Sequence, residues 1–170
     1  MNIPWLTWLV FLPLAGAVVL VCLPVAADRW HRRWAMTVAL GEFALSVPLW
    51  WRAWQPGWHL VEQRPWLPGI GAQYYLGMDG ISMLLVLLTT VMTVVAVLGA
   101  FGAVRERTRE FYALLLALET GMIGTFLSLD LLLFYVFWEA MLIPMYLLIG
   151  IWGGPRRIYA AVKFFLYTMF

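Results

Sequence analysis

The chain has 170 residues, of which 64% are hydrophobic and only 12% charged, and its mean hydropathy is +0.86. A water-soluble domain carries roughly 45–50% apolar and about 25% charged residues, so this composition is that of an integral membrane protein. A net charge of +2 is too small to indicate a nucleic-acid partner. The single cysteine, Cys22, excludes an internal disulfide and a cysteine-ligated iron–sulfur cluster.

Polar punctuation marks out apolar segments at Trp5–Ala27, Trp34–Trp54, Ile81–Val104, Phe111–Leu129 and Leu131–Trp152, and the start of another at Ile158. The expected fold is all-α and integral to the membrane: five complete transmembrane helices plus the start of a sixth. Met1 to Ala27 has no basic n-region, and its apolar stretch is too long for a signal peptide, so it reads as a retained first helix. Pro13, Pro24, Pro48 and Pro144 lie inside these segments, where neighbouring groups can satisfy the freed carbonyls. The last segment stops at Phe170, short of a full crossing, so the expectation is the front part of a longer polypeptide.

The connections carry an orientation signal. The first holds Arg29, Arg32 and Arg33, the third Arg105, Arg107 and Arg109, and the fifth Arg156 and Arg157. The second holds Arg64, with Arg52 near its border, and the fourth only Asp130. The positive-inside rule then places the N-terminus outside and the odd connections in the cytoplasm, as in a bacterial inner membrane. The second connection, Gln55–Gly80, is long enough for structure of its own. Gly69-Ile70-Gly71 offers a hairpin turn between its halves; an irregular loop is the other reading.

Glu139 stands mid-run in the otherwise uncharged LLLFYVFWEAMLIPMYLLIGIWGG. A charged acid at bilayer centre costs about 2.5–3.5 kcal/mol on insertion scales, so it needs a partner charge, a wet cavity or an exchangeable proton. If its helix starts near Asp130, Glu139 lies roughly 14 Å deep, and Glu119, counted from Glu110, lies at the same depth. Two carboxyls near the midplane on consecutive antiparallel helices suit a proton-binding pair or relay. Tyr135 shares the face of Glu139 one turn back, and Pro144 frees the Ala140 carbonyl beside it. Thr120 and Thr125 offer ordinary partners to Glu119. Lys163, roughly 9 Å into the last helix, either snorkels to the interface or serves as a cation near the acid-bearing helices. Asp79 and Asp130 read as N-caps of the third and fifth helices.

The segments FYVFWEAMLIPMYLLIGIWGG (134–154) and RRIYAAVKFFLYT (156–168) resemble the subunit M, or complex I chain 4, family of NADH-quinone oxidoreductases. LGMDGISMLLVLLTT (76–90) and FYALLLALETGMIGTFLSLDLLLF (111–134) fit the same family. Subunits of Mrp-type sodium/proton antiporters and membrane-bound hydrogenases share much of the pattern. The resemblance implies a longer antiporter-like subunit with inverted repeats and broken helices. It also implies a small extracytoplasmic β-hairpin between helices two and three. It assigns Glu139 as the proton-transfer acid, paired with a seventh-helix lysine beyond this chain, and matches Lys163 to the family's sixth-helix lysine. On the reading from spacing, Lys163 and Glu119 are then expected as secondary members of the proton path. It further implies no cofactor in this chain. NADH, FMN, iron–sulfur clusters and quinone are expected in the assembled complex, along with antiporter-like L and N subunits and small membrane subunits as partners. The alternatives are an Mrp-type or hydrogenase subunit, or a non-functional truncated fragment.

Overall fold

The computed structural model describes residues 4–24, 27–51 and 57–169. In chain order these form α1 (Trp5–Cys22), α2 (Asp28–Ser46), β1 (His59–Leu67), β2 (Ala72–Met78), α3 (Gly80–Ala103), α4 (Thr108–Leu127), α5 (Leu131–Trp152) and α6 (Arg157–Met169). Among the described residues, α1, α3, α4 and α5 are long and apolar enough to cross a membrane. Helix α5 has the predicted bounds, and α3 differs by one residue at each end. Helix α2 starts at Asp28 rather than Trp34 and ends at Ser46, followed by a 3₁₀ turn over Val47–Leu49 that takes in Pro48. The rest of the predicted second segment, from 52, lies outside the described residues, as do 25 and 26 at the end of the first. Arg29, Arg32 and Arg33 therefore stand on α2 itself.

That placement serves helix ends. Neither α1, α3 nor α5 has a basic residue in its own last turn, so their final carbonyls need outside donors. Arg32 donates to the Val104 carbonyl at 3.1 Å, closing α3. Arg109 reaches the Leu23 carbonyl at 3.4 Å, closing α1. Arg157 donates to the Ile151 carbonyl at 2.7 Å, closing α5. A buried latch adds to this basic end: His31 bonds Thr108 Oγ1 and the Pro24 carbonyl, each at 3.0 Å, and Thr108 donates to Asp28 at 2.7 Å.

At the opposite end the predicted hairpin forms, β1 and β2 pairing antiparallel with Gln63 opposite Tyr75 and Arg64 opposite Tyr74. Gly71 turns the chain at φ 72°, a left-handed value that glycine adopts without strain. The hairpin docks on the α4–α5 turn, where Leu129 N–H donates to the Tyr75 carbonyl at 2.8 Å. It also caps α1, whose own N-cap, Pro4, has no suitable side chain. Glu62 accepts from the Leu6 and Thr7 amides at 2.7 and 3.2 Å and from Thr7 Oγ1 at 2.5 Å. A carboxylate at a helix N-terminus meets both the free amides and the dipole. Glu62→Ala should cost roughly 1–2 kcal/mol, since hydrogen bonds to a charged group are lost. Faster hydrogen exchange at Leu6 and Thr7 is the readout, and unchanged protection would contradict the assignment.

Asp79 and Asp130 cap as expected. Asp79 accepts from Ser82 N–H at 2.7 Å while Ser82 Oγ accepts from Asp79 N–H at 2.8 Å, a reciprocal capping box. The Ser82 amide holds the Asp79 carboxyl below its ordinary value. A depressed folded-state value stabilises the fold above the unfolded carboxylate range, and the gain is lost as pH falls through the lowered value. Asp79→Ala should therefore cost about 1 kcal/mol near neutrality and much less in acid. Thermal unfolding of wild type and variant across pH checks this; a pH-independent gap would contradict it. Asp130 accepts from the Leu132 and Leu133 amides at 2.9 and 3.1 Å, and from Gln73 N–H of the hairpin at 3.1 Å. Those donors, Leu133 foremost, lower its carboxyl in the same sense.

The buried residues form two apolar clusters. One lies toward the hairpin, around Leu6, Leu49, Leu76, Val86, Ile123 and Leu127. The other lies toward the basic end, around Leu20, Ala35, Val38, Val97, Tyr112 and Leu116. Between them, on α2, α3 and α4, is a layer of buried polar side chains: Glu42, Ser46, Thr89, Thr90, Thr93 and Glu119.

Candidate functional site

Helices α4 and α5 approach through glycine. A Cβ on Gly121 would stand 2.6 Å from Met141 Cβ and 3.0 Å from its Cα, and one on Gly124 would overlap the Phe137 ring. These contacts set the rotation of both helices. Glu139 lies two residues from both Met141 and Phe137, so at about 100° per residue it faces away from α4. Glu119, two residues before Gly121, likewise faces away from α5. The two acids differ in depth by about 6 Å, reckoned along the helix axes from the Gly121–Met141 contact. The relay partners expected from spacing therefore stand back to back across the α4–α5 contact.

Glu139 is partly exposed on α5, and Tyr135 interacts with its carboxyl. Glu139 shares its stripe with Tyr146 and Gly150, about 20° away at seven and eleven residues. That stripe packs against α6: Tyr146 meets Phe165 edge-on at 5.7 Å, and a Cβ on Gly150 would touch Ala161 at 3.7 Å. Pro144 is buried within the helix, as the sequence requires.

Lys163 does not reach Glu139. Ala161 and Phe165 face α5, so Lys163 between them points off that contact, and it is exposed. Its Nζ lies between the rings of Tyr159 and Tyr167, 5.7 and 5.6 Å from their centroids. From those same contacts Lys163 is roughly 14 Å along the axis from Glu139.

Glu119 is fully buried. Thr120 and Thr125 bond the Leu116 and Gly121 carbonyls of their own helix, at 3.3 and 2.8 Å, and not the acid. Glu119 instead interacts with Thr93 of α3 and with Glu42 of α2. Glu42, fully buried as well, is the residue that reading the sequence missed. Its signal was present: it is the one charged residue in AMTVALGEFALSV (35–47), the criterion that singled out Glu139. Among the described residues, no group of three or more His, Cys, Asp or Glu side chains could hold a metal ion.

Residues 128–170, which include Glu139 and Lys163, match the family model described as NADH:quinone oxidoreductase/Mrp antiporter, TM. NAD(P)H-quinone oxidoreductase chain 4 2 of Thermosynechococcus vestitus is 44% identical over 173 residues, which cover 99% of this chain and 32% of the relative. The chain is similar to this relative along nearly its whole length. NADH-quinone oxidoreductase subunit M of Rhodobacter capsulatus is 47% identical over 169 residues, covering 96% of the chain and 32% of that protein. A chain in the structure of respiratory complex I from Thermus thermophilus with bound NADH superposes with a TM-score of 0.82 at 34% identity. That match covers 96% of this chain and 32% of the other. The chain thus spans about a third of the length of the curated relatives it matches. It is a multi-pass membrane chain.

Proposed function

We propose that this chain acts as part of a membrane-arm subunit of a respiratory NADH:quinone oxidoreductase. In that role it helps move protons, driven by electron transfer from NADH to quinone. The observation that carries the reading is Glu139, an acid in the middle of the apolar helix α5 and inside the matched residues 128–170. Its stripe runs on toward α6, and its carboxyl faces away from the α4 contact. An acid so placed can gain and lose a proton as a cation on a neighbouring helix approaches or withdraws. Lys163 and Glu119 are secondary members of the path. Helices α2 and α6 join the four apolar spans in crossing the bilayer. The N-terminus and hairpin lie outside, and the arginine-rich end lies in the cytoplasm of a bacterial cell.

NADH, FMN, iron–sulfur clusters and quinone are bound by other subunits, and this chain works beside the antiporter-like L and N subunits and small membrane subunits. The second reading, an Mrp-type antiporter exchanging Na⁺ for H⁺ without redox chemistry, is favoured by the double description of the matching family. Inverted membrane vesicles bearing the parent assembly separate the two. Acidification of the lumen on adding NADH and quinone, independent of sodium, is the expected result. Acidification or its collapse driven by a sodium gradient alone would overturn it.

A further inference from the structure

We propose that Glu42 and Glu119 form one proton-binding site, a carboxyl dyad at the α2–α3–α4 junction whose two protons come off in coupled steps. Both side chains are 0% exposed, and none of their four oxygens has a hydrogen-bond partner among the described residues. Ser46, one turn beyond Glu42, meets Thr90 of α3 at 3.0 Å, and Thr93, one turn further along α3, faces Glu119, so α3 brings both acids to one layer. They lie in the polar layer that divides the two apolar clusters, not on a wet surface. The helix rotation imposed by Gly121 aims Glu119 at this layer, and the stripe of α2 that buries Ala35 and Ala39 continues into Glu42 and Ser46.

Among the described residues, the surroundings contain hydroxyls and no cation. Helix α3 contributes Thr89, Thr90 and Thr93, all buried. Ser46 Oγ meets Thr90 Oγ1 at 3.0 Å, and Thr93 Oγ1 donates to the Thr89 carbonyl at 3.0 Å. Helices α1 and α3 carry no ionisable group apart from Cys22 at the end of α1. On α2 the charged groups nearest Glu42 are Arg32 and Arg33, the latter roughly 14 Å away along the axis. On α4, Arg109 is about 15 Å from Glu119, and Glu139 of α5 faces the other way. Tyr112, on the stripe of Glu119 two turns toward the basic end, is buried with its hydroxyl unpartnered.

Two carboxylates with no cation between them in an apolar interior do not ionise independently, since each disfavours the charge of the other. A neutral carboxylic acid donates one hydrogen bond and accepts others. The pair therefore carries no charge when doubly protonated and one when singly protonated, and the second proton is the harder to remove. The ligand is the proton itself, and its uptake forms one O–H bond and breaks none in the chain. The site goes beyond the proton-translocation reading, which assigns the central step to Glu139, and it stands whether or not that reading holds.

The test is an infrared pH titration of the intact parent assembly in lipid, in a Glu139→Gln background so that the α5 acid is silent. The unsubstituted dyad should give a protonated-carboxyl signal that shifts in deuterated water and titrates in two coupled steps. Glu42→Gln and Glu119→Gln should each collapse this to a single step, displaced from the upper step by on the order of one pH unit or more. The double variant should lose the signal, while Glu42→Asp, which keeps the carboxyl, should retain both steps and guards against a Gln variant that fails to assemble. An identical Glu119 titration with and without Glu42 would overturn the dyad. So would a signal that neither moves with pH nor exchanges. Proton pumping by the Glu139→Gln parent is read separately and bears only on the proposed function.

Discussion

Glu139→Gln in the full-length subunit should reduce redox-driven proton pumping to background while leaving the assembly largely intact. Gln matches Glu in size and keeps polar contact with Tyr135, which already interacts with the acid, so the packing of α5 has no reason to change. What Gln cannot do is release a proton or attract a cation on an adjacent helix. An amide is also cheaper to bury than a charge, so insertion is not impaired. The measurement is acidification of inverted vesicles on adding NADH, with the quantity of assembled complex determined on the same membranes. Pumping at the wild-type rate in assembled complex would remove Glu139 from the path.

Gly121→Leu should break the α4–α5 contact. Gly121 and Gly124 form the small-residue stripe that lets these helices approach closely, as membrane helices do where no solvent drives them together. Because even a Cβ at 121 would lie 3.0 Å from Met141 Cα, a larger side chain must push backbone from backbone and not merely turn a rotamer. Overpacking of this kind costs about 1–3 kcal/mol or more. Here it would also rotate α5 and with it the face on which Glu139 is presented. Thermal unfolding of the purified assembly and the yield of assembled complex are the readouts. Gly99→Ala on α3, where nothing lies within 4 Å, is the control and should leave both unchanged. Equal stability of the Leu variant and wild type would contradict the close approach.

Much of this molecule is local and was legible in the order of residues. Apolar length places α3, α4 and α5 to within a few residues. The Asp79 and Asp130 caps and the turn at Gly71 depend on groups within three residues of each other, so type and spacing suffice. An acid in the middle of an uncharged run reveals itself at Glu139, and the same test applied to 35–47 reveals Glu42. Depth follows only approximately: helical rise is constant, but the depths counted as equal from Glu110 and Asp130 differ by about 6 Å once α4 and α5 are set against each other.

Rotation does not follow from rise. Equal depth made Glu119 and Glu139 look like partners, but the azimuth of each helix is set by which side chains fit against its neighbour. Gly121 and Gly124 on Met141 and Phe137 turn the two acids apart and turn Glu119 toward the buried polar layer that holds Glu42, 77 residues earlier in the chain. The cap that Glu62 supplies to α1 comes from 56 residues away, and the arginines that close α1 and α3 come from other helices. The amino-acid sequence alone determined that this is a membrane chain, where its apolar spans run and that an acid lies inside one of them. Only the packed structure decided which buried acids meet, because close contact between helices is a property of pairs of surfaces and no single segment encodes it.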